Sequence, residues 1–151
     1  MNIARYALYS GTMAGLASLA VLMLAAKAEG RALPQPINAT SHWIHGDSAG
    51  HVTRWNARYT ATGLATHFAS AMFWAVPFAA WYVWQRPRMF LHAFCGASVL
   101  SAFAAFFDYR VISRRLTPGW ELTVSNMSVA AAFASIALGL ATGAWMARPK
   151  S

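Results

Sequence analysis

The feature that most constrains this chain is where its charges lie. All 12 Lys and Arg and all four Asp and Glu fall outside four windows of 21, 27, 19 and 26 residues, which are Tyr6–Ala26, Tyr59–Gln85, Met89–Phe107 and Leu122–Ala147. A stretch of about 20 apolar residues crosses the hydrocarbon core of a bilayer as one helix. The windows therefore predict an integral membrane protein of four helices, and they exclude a soluble enzyme and a disordered chain.

The composition favours a single membrane domain. Of the 151 residues 58% are hydrophobic and 11% charged, against about 25% charged in soluble domains. The predicted fold is all-α, a four-helix bundle over residues 1–151 with spans near 6–26, 61–84, 89–107 and 122–147. The first span follows Arg5 as a signal peptide would, but its apolar stretch exceeds the roughly 7–15 residues of a signal core. We expect this span to be retained.

The charges outside the windows predict an orientation. The short segments 1–5, 86–88 and 148–151 carry five basic residues and no acid, whereas 27–58 and 108–121 mix both signs. The positive-inside rule gives most weight to short flanks, so both termini are predicted in the cytoplasm of a bacterium, with the helices in its inner membrane. The Lys and Arg residues that give the net charge of +8 are then expected to contact lipid head groups. Nucleic acid is not an expected partner, because no basic stripe or reader motif accompanies the charge.

Small residues at helical spacing predict close contacts between the spans. They form three seams: Gly11-x-x-x-Gly15 in the first span, Ser98, Ala102 and Ala105 in the third, and Gly139-x-x-x-Gly143 in the fourth. Helices in lipid associate through such seams because small side chains let their backbones approach. Two uses remain open, packing within a monomer or docking of a second copy or a partner membrane protein.

The first loop is long and carries its own helix signals. Pro34 and Pro36 prevent the first helix from continuing. Asp47 then starts a segment with an apolar stripe formed by Val52, Trp55 and Tyr59. This pattern predicts a short helix lying in the membrane interface.

The third loop combines a helix start with an excess of charge. Thr117 as N-cap, Pro118 at the first helical position and Glu121 in the first turn predict the start of the fourth span. That pattern leaves Asp108 and the nearby arginines at 110, 114 and 115 unexplained.

The two long loops emerge on one face, and the second span is entered from that face. His67 lies one or two turns inside this span, where a polar side chain needs a partner or a place inside the bundle. We therefore predict a polar pocket on the non-cytoplasmic face, which binds a small or lipid-borne anionic ligand or a partner subunit. Its predicted residues are His42, His67, Trp74, Asp108, Arg115 and Glu121.

Each predicted pocket residue has a role. His67 and Trp74 share a helical stripe and line the pocket. Arg115 contacts the anion, because a guanidinium group binds phosphate or carboxylate through two hydrogen bonds. Asp108 and Glu121 orient the arginines.

Two other function classes stay open. The first is a metal- or haem-dependent membrane oxidoreductase that uses His42, His45 and His67 as ligands. The sequence specifies no cofactor and assigns no catalytic residue. Counted along the helices at about 1.5 Å per residue, His67 and His92 lie about 20 Å apart along the membrane normal. The two histidines therefore cannot ligate the same haem. The second is a structural accessory subunit without a ligand. Cys95 is the only cysteine, which excludes an intramolecular disulfide and a dithiol relay.

The order of the spans resembles the YagU-like family of small four-helix bacterial inner-membrane proteins. The resemblance rests on the early Gly11-x-x-x-Gly15 helix followed by Glu29 and a proline-containing segment, and on the Gly63–His67 entry into the second span. It implies a four-helix membrane fold and a link to acid tolerance. It implies no catalytic residues.

Overall fold

The chain is all-helical in the computed structural model, which describes residues 2–149 and has no β-strand among them. Met1, Lys150 and Ser151 lie outside the described residues, and with them the predicted contribution of Lys150 to the basic face. The α-helices are α1 (Ile3–Ala28), α2 (Gln35–Thr40), α3 (His42–His45), α4 (Ala57–Gln85), α5 (Phe90–Phe106) and α6 (Asn126–Met146). A π-helical turn, Phe107–Val111, extends α5. The 3₁₀ turn Asp47–His51 precedes α4, and the 3₁₀ turns Arg114–Leu116 and Trp120–Leu122 precede α6.

The closest helix contact joins α1 to α6. A Cβ added at Gly139 would lie 2.5 Å from the Cα of Ala14, and one added at Gly143 would overlap the backbone of Tyr9. The two backbones therefore touch directly, and Ser10 Oγ donates a 3.0 Å hydrogen bond to the carbonyl oxygen of Leu140. The Gly139-x-x-x-Gly143 seam of the fourth span therefore packs against α1 of the same chain.

The other helices pack around this pair. α4 lies against α1, where Gly11 and Gly15 face the side chains of Met72 and Phe68. α5 lies against α6, and Ser101 Oγ donates a 2.6 Å hydrogen bond to the carbonyl oxygen of Phe133. The backbones of α4 and α5 approach each other closely at few points, and large side chains such as Trp74 and Phe103 lie between them. We call the α1–α6 contact the closed side of the bundle and the α4–α5 contact its open side.

Among residues 2–149, three helical segments are long and apolar enough to cross a membrane: α1, Phe90–Val111 and α6. α4 has 29 residues but is not among them. Its first half carries polar side chains that lower its hydropathy, namely Arg58, Thr60, Thr62, Thr66 and His67. The sequence prediction of an all-helical chain with long apolar helices is confirmed for three helices.

The predicted start of the fourth span is wrong. The fourth long helix begins at Asn126 with Ser125 as its N-cap, and not with Thr117. Gly119 adopts a left-handed conformation with φ of 79°, which interrupts any helix starting at Pro118. Thr117 Oγ1 instead donates to the carbonyl oxygen of Arg114 and to Glu121, at 2.9 and 2.7 Å.

The first loop contains short helices, but earlier than predicted. α2 and α3 precede Asp47, and the turn that begins there ends at His51. The stripe of Val52, Trp55 and Tyr59 is therefore divided, since only Tyr59 belongs to a helix, α4. All six residues of α2 are buried, because α2 lies directly on α4 with the Ile37 carbonyl group against Gly63.

Candidate functional site

A cavity of about 410 Å³ lies where α4, α5 and α6 meet the long loops, and we call it the inner cavity. Its walls are mostly apolar and aromatic, and include Phe73, Trp74, Phe107, Trp120, Phe133 and Ile136. Its polar lining side chains are Ser18, Thr40, His67, Ser70 and Asp108. The cavity has the size and character of sites for small organic ligands.

His67 is held rigidly at the edge of the inner cavity. The side chain is buried, and its Nε2 lies 3.0 Å from the carbonyl oxygen of Gly15 and 3.3 Å from Ser18 Oγ. A carbonyl oxygen only accepts hydrogen bonds, so Nε2 carries the ring proton and donates it. The other ring nitrogen, Nδ1, is then an acceptor, and it has no hydrogen-bond partner among residues 2–149.

Trp74 and Asp108 reach the same cavity from facing elements. The Trp74 ring packs edge-on against Phe103 and Phe107, with ring centroids 6.0 and 5.8 Å apart. Asp108 lies in the π-helical turn that extends α5, and such turns are frequent at functional sites. Within the described part of the chain its carboxylate forms no hydrogen bond and no ion pair.

The structure thus brings together three of the six predicted pocket residues: His67, Trp74 and Asp108. The other three lie elsewhere. His42 is buried beside the cavity, where its Nε2 lies 2.8 Å from the carbonyl oxygen of Thr117 and its Nδ1 lies 3.5 Å from Asp47. It joins the first loop to the third.

Arg115 and Glu121 do not form the predicted anion site. Arg115 is exposed and does not line the inner cavity. Glu121 accepts hydrogen bonds from Tyr109 and Thr117, at 2.9 and 2.7 Å. No arginine of residues 2–149 is ion-paired with Asp108 or Glu121, so the predicted orientation of the arginines by these carboxylates is wrong.

The three candidate metal ligands have separate surroundings. His42 and His67 are held by the contacts given above, and the His45 ring packs edge-on against Tyr59 with centroids 4.9 Å apart. His45 Nε2 is buried without a hydrogen bond in the described structure. Over residues 2–149 no three His, Cys, Asp or Glu side chains are grouped in a way that holds a metal ion.

A second depression, the outer groove, runs between α5 and α6 and has a volume of about 720 Å³. It is lined by the third-span seam of Ser98, Ala102 and Ala105 and, at one end, by Tyr109 and Glu121. Phe133 lines both the groove and the inner cavity.

Sequence reasoning missed Ser18, Trp120 and Phe133. Ser18 had a visible signal, because it follows Gly15 by three residues on the same face of α1. Trp120 had none, since its position depends on a 3.2 Å hydrogen bond from its Nε1 to Thr40 Oγ1, 80 residues away.

The chain was compared with protein-family models, curated proteins and solved structures, and none of them matches. The resemblance to YagU-like proteins stays a prediction.

Proposed function

We propose that this chain is an integral protein of the bacterial inner membrane whose four long helices all cross the bilayer, with both termini in the cytoplasm. Three helices have the length and composition for it, and α4 packs along α1 as a fourth. At the proposed cytoplasmic end, Arg148 donates to Tyr82 and to the Pro87 carbonyl group and stacks on Trp145, 3.4 Å from its ring centroid. Basic and aromatic side chains of this kind are typical of membrane boundaries.

We further propose that the inner cavity binds a lipid-borne ligand. The observation that carries this proposal is a mostly apolar cavity of about 410 Å³ that collects His67, Trp74 and Asp108. It lies between α4 and α5, whose backbones approach each other closely at few points, and the exposed Phe73 of α4 is part of its wall. A molecule dissolved in the bilayer enters between these two helices.

The lining favours a lipid-borne ligand over a small soluble anion. Within the described part of the chain, no Lys or Arg lines the inner cavity, and Asp108 is the one charged side chain that does. A carboxylate repels an anion, and apolar walls give a hydrated ion no replacement for its water. An apolar molecule with a polar end packs its apolar part against the walls and forms hydrogen bonds with the polar side chains.

Filling the inner cavity tests this function. Ser70 lines the cavity, and Ser70→Leu places a branched apolar side chain in the space proposed for the ligand. Ala80→Leu is the matched control, because Ala80 is an exposed residue of the same helix and lines neither depression. The purified proteins are extracted with organic solvent and the extracts are compared by mass spectrometry.

We expect a molecule that is enriched with the wild-type protein and Ala80→Leu and depleted with Ser70→Leu. Equal amounts in all three extracts would place the bound molecule outside the inner cavity. A wild-type extract without any enriched molecule would contradict the proposal that the inner cavity binds a lipid-borne ligand.

The second candidate function is docking of another copy on the outer groove. Both Gly-x-x-x-Gly seams are covered inside the chain, whereas the α5 seam lines an open groove. Cys95 is exposed on α5 and provides the probe. A short bis-maleimide should join two copies through Cys95 in membranes if they meet on this face, and Cys95→Ser should abolish the product. A chain that stays monomeric at every reagent concentration contradicts the docking.

A further inference from the structure

The free hydrogen-bonding groups of the inner cavity define what its ligand must offer. His67 Nδ1 accepts only, because Nε2 holds the ring proton and donates it to Gly15. The Asp108 carboxylate also accepts only, and it has no partner among residues 2–149. The two groups come from different helical segments, α4 and the π-helical turn after α5. A ligand that donates hydrogen bonds satisfies both.

Most other polar groups of the lining are already occupied. Ser18 Oγ donates to the carbonyl oxygen of Ala14 at 2.8 Å. Thr40 Oγ1 donates to Pro36 and accepts from Trp120, at 3.1 and 3.2 Å. Among the described residues, the Ser70 hydroxyl and the Trp74 Nε1 group are free, and Trp74 donates only. A hydroxyl group on the ligand fits this set, since it donates to an acceptor and accepts from Trp74.

The walls favour a ring over a chain as the head group. Trp74 and Phe107 stand edge-on to each other with centroids 5.8 Å apart, and Trp120 lies 5.5 Å from Phe133 and 5.9 Å from His67. Aromatic side chains in these orientations offer both faces and edges to a flat ring. A volume of about 410 Å³ holds such a ring with the first part of an apolar tail.

We propose that the ligand of the inner cavity is a hydroquinone with an apolar tail, whose ring hydroxyl groups donate hydrogen bonds to His67 Nδ1 and to the Asp108 carboxylate. This inference rests on the proposed function and specifies its ligand. The ligand is electrically neutral, so it avoids the repulsion that Asp108 exerts on an anion. The tail leaves toward the lipid between α4 and α5, whose backbones approach each other closely at few points.

The test compares four molecules on the wild-type protein, so that it does not depend on how a variant folds. The protein is placed in nanodiscs under nitrogen, and binding of decylhydroquinone is measured by calorimetry against empty nanodiscs. The same is done for its dimethyl ether, which keeps the ring and the tail but has no donor, for decanol and for decanoate. We expect hydroquinone to bind about tenfold or more tightly than the ether, because two hydrogen bonds are lost.

The other outcomes overturn the inference in distinguishable ways. Equal affinity of hydroquinone and its ether would show that His67 Nδ1 and the Asp108 carboxylate do not accept hydrogen bonds from the ligand. Tighter binding of decanol shows that no ring is required, and tighter binding of decanoate shows an anion site. In these three cases a lipid-borne ligand, and with it the proposed function, still stands. If none of the four molecules binds and no enriched molecule is extracted, both proposals fail.

Asp108→Asn provides an independent readout. The amide of asparagine can donate as well as accept, so this variant should bind hydroquinone about fivefold less tightly and the corresponding quinone more tightly. Asp47→Asn is the matched control, because Asp47 is 64% exposed and lies outside the cavity. An unchanged preference for hydroquinone over quinone in Asp108→Asn would show that Asp108 does not receive a ligand hydrogen bond.

Discussion

The two sides of this bundle are built on opposite principles. On the closed side, α1 and α6 touch backbone to backbone at Gly139 and Gly143. On the open side, the backbones of α4 and α5 approach each other closely at few points, and the inner cavity lies between large aromatic side chains. One pair of helices leaves no space for a side chain, and the other leaves space for a ligand.

The difference shows how a helical bundle keeps its shape around a cavity. In the bilayer location proposed above, apolar side chains gain little by leaving lipid for a protein interior, so helix association depends on close van der Waals contact. The glycine seams concentrate that contact on one side. The aromatic rings of the other side, such as Trp74 and Phe107, then need to pack against each other only at their edges. The tightly packed helix contact and the inner cavity thus lie in different parts of the bundle.

The largest expected effects come from adding side-chain volume to the closed side, where a single methyl group is enough. In Gly139→Ala the new Cβ would lie 2.5 Å from the Cα of Ala14 and 2.6 Å from the Met13 carbonyl oxygen. Backbone atoms move only if the helices separate, so we expect a loss of about 3 kcal/mol in the free energy of unfolding. The measurement is cooperative unfolding of the purified protein in detergent.

Gly15→Ala is the control for that substitution. Its Cβ would also meet an atom at 2.5 Å, but this atom belongs to the ring of Phe68. A side chain can rotate away, and the gain in helix propensity of about 1 kcal/mol offsets part of the cost. We expect a change of less than about 1 kcal/mol. Equal losses at Gly15 and Gly139 would contradict a backbone contact specific to α1–α6.

The next effect concerns the loop that covers the open side. Asn38 is fully buried, and its amide nitrogen donates to the carbonyl oxygens of Val52 and Arg54, at 2.8 and 3.0 Å. Its amide oxygen accepts a 2.6 Å hydrogen bond from Thr60. Asn38→Ala leaves these groups without partners, so we expect a loss of about 2 kcal/mol.

The same variant should also expose residues 52–60 to faster hydrogen exchange. Asn2→Ala is the control, because Asn2 is exposed and only caps α1, which predicts a loss of about 1 kcal/mol or less. Unchanged exchange in residues 52–60 of Asn38→Ala would show that this side chain does not fasten the loop to α4.

The sequence predicted the parts of this structure that follow from local pattern. The window 6–26 lies within α1, and the spacing of His67 and Trp74 placed both on one stripe, which faces the inner cavity. The start of α6 was not predictable, because the left-handed Gly119 overrides a good N-terminal pattern. The arginines were misplaced for a related reason. Charge counts show how many basic residues share a loop, but the fold of that loop decides that Arg115 points outward.

A third and smaller effect is expected on the open side. Ser70→Leu adds volume next to the inner cavity, so we expect the free energy of unfolding to change by less than about 1 kcal/mol. Ser10→Leu is the same substitution on the closed side, where Ser10 is fully buried and donates to Leu140. There we expect a loss of about 3 kcal/mol or no stable protein. Similar losses at the two positions, measured by thermal unfolding, would mean that the open side is packed as tightly as the closed one.

The smallest effect is a dependence on pH at the end of the closed side. The exposed Glu29 carboxylate after α1 accepts from Ser128 Oγ at 2.5 Å, from Ser125 Oγ at 2.7 Å and from Ser125 N at 2.9 Å. The hydrogen bonds from Ser128 and then Ser125 hold the pKa of Glu29 below its usual 4.5. A carboxyl group whose pKa is lower in the folded state stabilises that state above the unfolded pKa, and the contribution is lost as the pH falls through the folded value.

Acid should therefore loosen the junction between the end of α1 and the start of α6. We expect the thermal midpoint of the wild-type protein to fall slightly more between about pH 6 and pH 3 than that of Glu29→Gln, which keeps the shape but does not titrate. Ser128→Ala should reduce the difference, because it removes the first of the hydrogen bonds that lower the pKa. If the thermal midpoints of wild type and Glu29→Gln fall alike with acid, the Glu29 carboxylate does not stabilise the junction of α1 and α6. The closed side is then held by its glycine contacts alone.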